Sequence, residues 1–140
     1  MTFHNSEHKT CIVAMLKQAR LRPTRQRVSL AFLLFGAGNR HVTAEALHAD
    51  AISAGEKVSL ATVYNTLHQF RQAGLLRELA IDGTKAYFDT NTSDHNHFFI
   101  EEDGELIDIA EDAIKIDGLP KPPEGMKISH VDVVVRLVKK

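Results

Sequence analysis

The chain has almost no cysteine and no long apolar run, and each shortage removes a class of protein. Cys11 is the only cysteine in 140 residues, which excludes an internal disulfide, a CxxC pair and a cysteine-built structural zinc site. No apolar stretch approaches the ~20 residues that span a bilayer, and the polar opening segment 1–9 lacks the apolar core of a signal peptide. A cytoplasmic protein is therefore expected. Carboxylates are also missing from one place that matters, the stretch from Leu60 to Leu76. What the chain does have is 44% apolar residues, enough to build a core in one domain or two small ones.

The net charge of -1 hides an asymmetry. Residues 1–78 hold 10 Lys/Arg against 5 Asp/Glu, and residues 79–140 hold 7 against 13. A basic half suggests phosphate as a partner, and an acidic half with histidines suggests a cation.

The chain is organised around the segment from Ser59 to Gly74. Leu60, Val63, Leu67 and Phe70 recur at helical steps, Ser59 can cap the first turn, and Gly74 can end the helix. The opposite face carries Ala61, Thr62, Tyr64, Asn65, His68, Gln69 and Gln72. Such a face suits the DNA major groove, where amides and hydroxyls meet base edges and no carboxylate is repelled by phosphate.

Upstream, a helix is expected over about residues 6–19, capped by Ser6, with Cys11, Met15 and Ala19 on one face. Four arginines then fall within residues 20–27. Of these, Arg22, Arg25 and Arg27 form a basic arm that leads into a Thr24-capped helix, a pattern suited to a phosphate backbone. Residues 39–42 read as a link. Thr43 caps a third helix to about Ala54, with Ala46, Leu47, Ala51 and Ile52 on its core face, and a turn of roughly four residues joins it to the Ser59 helix at helix-turn-helix spacing.

After Gly74 the period becomes alternating, and Asp82-Gly83 between two strand-like runs predicts a hairpin, hence a winged helix with Lys85 near the wing tip. Asn91-Thr92-Ser93-Asp94 is a polar break. Strands are expected over residues 97–100 and 106–109, a short helix over 110–116, and a last strand over 127–138. The fold class expected is α+β, an N-terminal winged helix-turn-helix followed by a small α/β domain. The latter is small enough to be expected to pair with a second copy.

The segments 21–27, 41–45 and 59–64, the Gly74-Leu75 helix exit and His95-x-His97 together resemble the ferric uptake regulator family of bacterial metal-responsive repressors, over about residues 19–109. Within it, Leu33-Leu34-Phe35-Gly36, the run 58–67, and residues 81–85 leading into 87–91 look most like the iron response regulator branch, whose members are associated with iron scarcity and haem. The resemblance implies a DNA-binding domain over 1–90, a hinge over 91–94, and a dimerisation and effector-sensing domain over 95–140. It implies a homodimer on a palindromic operator.

The resemblance also implies roles for residues. Arg22 matches a basic residue placed in the minor groove and Tyr64 a recognition-helix tyrosine that packs on thymine. Asn65 stands where many members have arginine, so base preference should differ. For metal, His41, Asp89, His95, His97 and Asp108 match family ligands. The residue types agree, since His95 and His97, two apart on a strand, share a face, and a histidine and carboxylate set from both domains could tie them together. Divalent iron or manganese, zinc, or haem are the expected cofactors. The family's structural zinc cysteines are replaced by Ile100 and Asp103, a further ligand histidine falls near Leu137, and no Cys-Pro haem motif follows Cys11.

Two other classes compete. Two histidines and a carboxylate are also the facial triad of non-haem iron oxygenases, but an enzyme would leave the basic helix-turn-helix unexplained and shows no evident substrate pocket. A metal or haem carrier would make Tyr64 dispensable. No enzyme activity is expected.

Overall fold

A computed structural model describes residues 2–82, 85–93 and 95–140, with the side chains of residues 2–6 and 82 left aside. Contacts divide the chain into two compact units, Met1–Thr92 and Ser93–Lys140.

The first unit contains four helices, α1 (Thr2–Gln18), α2 (Arg25–Phe35), α3 (Ala44–Ser53) and α4 (Leu60–Gln72), and three strands, β1 (His41–Val42), β2 (Arg77–Asp82) and β3 (Lys85–Asp89). Three of the helices start where a hydroxyl can accept an orphan backbone N–H. Thr24 accepts from the Arg27 N–H at 3.3 Å, Thr43 from Ala46 at 3.2 Å and Ser59 from Thr62 at 3.1 Å. Two of them stop at a left-handed glycine. At Gly55 (φ 84°) and Gly74 (φ 81°) the next residue's N–H returns to the carbonyls of Ala51 and Phe70, both at 2.9 Å, closing the last turn. The end of α1 has the same pair of hydrogen bonds with Arg20 (φ 61°) in the left-handed position, where an L side chain carries strain.

The core of this unit is formed by Ile12 and Leu16 of α1, Leu30 and Leu34 of α2, Leu47 of α3, and Val63, Leu67 and Phe70 of α4, closed by Val42 and Phe88 of the sheet. The inner faces of α1 and α3 sit about one residue away from those expected, whereas α4 buries Val63, Leu67 and Phe70 as expected. Ser6 lies inside α1 rather than at its start, and Cys11 is exposed while Ile12 is buried. In α3, Ala46 is exposed and Ile52 is 51% exposed, with Ala44 buried instead. In α4, Leu60 is 42% exposed at the edge of the stripe, and Thr66 joins the buried side by donating its hydroxyl to the Thr62 carbonyl at 2.8 Å.

The sheet runs β1-β3-β2, antiparallel throughout. Residues 39–42 are thus not merely a link, because His41–Val42 pairs with β3. The ladder between β2 and β3 is irregular between Leu79 and Asp82. The expected Asp82-Gly83 turn rests on Gly83 and, with Thr84, lies outside the described residues. Asp94 of the expected hinge does too.

The second unit is a sheet in the order β5-β4-β6, with β4 (Asn96–Ile100) in the middle, β5 (Glu105–Ile109) antiparallel to it and β6 (Val134–Leu137) parallel. The helix expected over 110–116 does not form: residues 111–113 only turn, with an Ala113 N–H to Ala110 carbonyl bond at 3.0 Å. Seven residues ahead of Gly118 and three prolines are too few to nucleate an isolated helix. The last strand is also shorter than expected, beginning at Val134 and not at 127. The second unit is therefore a sheet with long irregular segments and no helix among its described residues. It leaves Leu119, Met126, Ile128 and Val138 exposed.

Candidate metal and nucleic-acid sites

Strand register positions the first pair of polar side chains. His41 and Asp89 are directly opposed across β1 and β3, with His41 Nε2 at 3.2 Å from Asp89 Oδ2. Asp89 is 1% exposed, and its other carboxylate oxygen accepts from the Asn91 N–H at 2.9 Å. A carboxylate this deeply buried needs such partners to remain in place.

The second unit gathers a different set. His97 and Asp108 are opposed across β4 and β5, and His95 lies just before β4. His95 Nε2 is 3.2 Å and His97 Nε2 3.3 Å from the same oxygen, Asp108 Oδ1, and the two imidazole rings are 4.5 Å apart. Both histidines are buried.

One hydrogen bond decides what this set can do. His95 Nδ1 is 2.7 Å from the Ser93 carbonyl oxygen, which only accepts, so the Nδ1 proton is donated there. In the neutral ring Nε2 is then an acceptor facing a carboxylate oxygen. Two acceptors at that distance repel unless a proton or a cation lies between them. A backbone carbonyl holding the far nitrogen is also how metal-ligating histidines are oriented. Imidazole nitrogens and a carboxylate oxygen, with no sulfur, suit divalent iron, manganese or zinc and fit a resident metal of that kind.

The nucleic-acid candidates lie on the first unit. Tyr64 and Asn65 are exposed on α4, as are Arg22 and Arg25 in the arm before and at the start of α2. Ser59 and Thr62 form the N-terminal cap, with the Ser59 hydroxyl donating to Thr62 Oγ1 at 2.9 Å. Arg27 is committed in part: its guanidinium donates to Gln69 Oε1 at 3.3 and 3.1 Å and to the Arg22 carbonyl at 3.0 Å. That leaves two of the five guanidinium N–H groups for another partner and ties the arginine arm to α4. Gln69 is thereby a structural member of this surface, a role that its place on a polar helix face does not reveal.

A family profile described as the ferric uptake regulator family matches residues 18–136. The chain belongs to the ferric uptake regulator family. The ferric uptake regulation protein of Shigella flexneri is 37% identical over 101 residues, which are 71% of this chain and 68% of that protein. Among solved structures, the ferric uptake regulator of Vibrio cholerae superposes with a TM-score of 0.74 at 26% identity, over 91% of this chain and 98% of that one. The ferric uptake regulator of Pseudomonas aeruginosa with manganese gives 0.68 at 29% identity, over 92% and 98%. The family consists of metal-responsive, DNA-binding transcription regulators, not enzymes, and its α+β fold is the one seen here. No helix among the described residues is long and apolar enough to cross a membrane.

Proposed function

We propose that this chain is a cytoplasmic, homodimeric regulator of iron or haem homeostasis genes that binds a palindromic operator and answers to a divalent metal. The observation that carries the metal reading is the convergence of His95 Nε2 and His97 Nε2 on one oxygen of Asp108, with the His95 Nδ1 proton already committed to a carbonyl. These three residues, together with the His41 and Asp89 pair of the first unit, are the proposed metal ligands. A metal ion would supply positive charge among these acceptor atoms. The domain over 95–140 acts in dimerisation and sensing, which gives its exposed apolar side chains a partner.

DNA binding falls to α4 and the arginine arm. Arg22, Arg25 and the remaining donors of Arg27 hold phosphate, the Ser59 and Thr62 cap presents the helix N-terminus, and Tyr64 and Asn65 meet base edges. Iron is the first-choice effector, on the likeness to the iron response regulators. Haem is the other effector that this likeness implies, with imidazole as its axial ligand. A manganese-, zinc- or peroxide-responsive regulator of the same fold is the second reading, with manganese favoured by the Pseudomonas aeruginosa relative.

The test is a titration of metal-free protein against palindromic and random duplexes in parallel series of iron, manganese, zinc and haem. One effector should change operator affinity about tenfold or more, the scale of ordinary allosteric coupling. If none changes it, the sensing role fails. If no palindrome is preferred under any condition, the operator role fails.

A further inference from the structure

We infer that His68 is a positioning residue for base reading: its ring, packed between Tyr64 and Phe88, sets the orientation of the tyrosine that α4 presents, and with it the sequence preference of binding. The inference deepens the operator reading above and rests on it.

His68 lies one helical turn after Tyr64, and the two rings meet at 4.4 Å between centroids with an interplanar angle of 63°. On its other side His68 meets Phe88 at 5.5 Å and 88°, edge to face. Phe88 is completely buried, and β3 pins it between Val42 and Glu78. Tyr64 is 47% exposed, so on a bare helix its ring would sample several rotamers. Here it leans on a ring that itself stands on the core. A side chain held in advance loses less freedom when DNA arrives, and the saving applies only to the base that suits the held orientation.

The second observation is the cost His68 carries. Its Nε2 is buried and has no hydrogen-bond partner among the described residues. Leucine would fill the same space without an unsatisfied nitrogen, so filling the core does not by itself account for a ring at this position. Because that nitrogen is shut away from solvent, it does not read a base. Its effect must pass through Tyr64.

The experiment compares wild type, His68→Ala, His68→Phe, Tyr64→Ala and the double variant His68→Ala/Tyr64→Ala. Each full-length protein is titrated against the preferred operator, single-base variants of it and random duplex, across a salt series. His68→Ala is expected to lower the ratio of operator to random binding about twofold to tenfold, the worth of an aromatic pair, with an unchanged salt slope. His68→Phe, which keeps a ring in the stack, should hold the ratio within about twofold, and the double variant should be no worse than Tyr64→Ala alone. Equal losses on operator and random duplex, additive losses in the double variant, or a phenylalanine variant as poor as alanine would each overturn the inference. A wild-type protein without operator preference would overturn the operator reading itself, whereas a selective wild type with an equally selective His68→Ala would sink only the role of His68.

Discussion

Replacing Asp108 with asparagine should separate two properties that ordinarily fall together, leaving metal-free stability intact while removing the response to metal. Asp108 Oδ1 faces His95 Nε2 at 3.2 Å and His97 Nε2 at 3.3 Å, and the His95 Nδ1 proton goes to the Ser93 carbonyl. An amide can turn an N–H toward His95 Nε2 and put a neutral hydrogen bond worth about 0.5–1.5 kcal/mol in place of the carboxylate contact. Asp108 is 41% exposed, which pulls the gain toward the lower figure. Metal-free Asp108→Asn is thus expected to be as stable as wild type or more stable by about 0.5 kcal/mol. The metal response goes the other way. Manganese at about 100 times its Kd stabilises a folded protein by about 2.7 kcal/mol, and a hundredfold loss of affinity leaves about 0.4 kcal/mol at the same concentration. For a chain of this length the first figure corresponds to a shift in Tm of roughly 8 °C and the second to about 1 °C. The assay is thermal unfolding of both proteins by circular dichroism at pH 8, where protons compete weakly for imidazole, with and without manganese. A metal-free variant destabilised by more than about 1 kcal/mol, or one that keeps the full manganese shift, would refute the reasoning.

Arg27→Ala should weaken binding to every duplex and flatten the salt slope by about 0.9 for the one phosphate no longer neutralised, whereas Gln69→Ala, which removes only the side-chain partner of Arg27, should leave the slope in place. A slope unchanged in Arg27→Ala would show that Arg27 does not touch phosphate. Arg20→Gly should raise stability by about 0.5–1 kcal/mol by relieving the left-handed residue after α1, and a fall in Tm would show that the arginine side chain has a structural role. Phe70→Ala should cost about 3–5 kcal/mol in denaturant unfolding, because the ring is completely buried and packs on Phe35 of α2.

The parts that could be read from residues alone are those decided locally. A hydroxyl before a helix and a glycine after it act within one turn, so the caps at Thr24, Thr43 and Ser59 and the stops at Gly55 and Gly74 were legible. Periodicity told that α3 and α4 have an inner face but not where its centre falls. Leu60 and Ile52 fit the period and still lie outward, since what packs opposite them comes from elsewhere in the chain. β1 escaped notice because two residues carry no alternation, and its existence depends on β3, almost fifty residues later. The expected helix over 110–116 had an adequate pattern but is too short to nucleate alone ahead of Gly118 and three prolines. For the candidate sites, sequence could nominate histidines and carboxylates by type. It could not show that Asp108 meets two imidazoles, or that Gln69 and His68 each support a neighbour, because those facts belong to strand register and ring packing.

β3 carries the two most deeply seated groups of its sheet on consecutive residues, and successive side chains of a strand point to opposite faces. Phe88 props up the helix that presents Tyr64, and Asp89 on the reverse side holds His41. One peptide bond separates the two, so a backbone shift at Asp89 would be passed directly to Phe88. The first unit thus seats its His41–Asp89 pair and the ring beneath His68 on neighbouring residues of one strand.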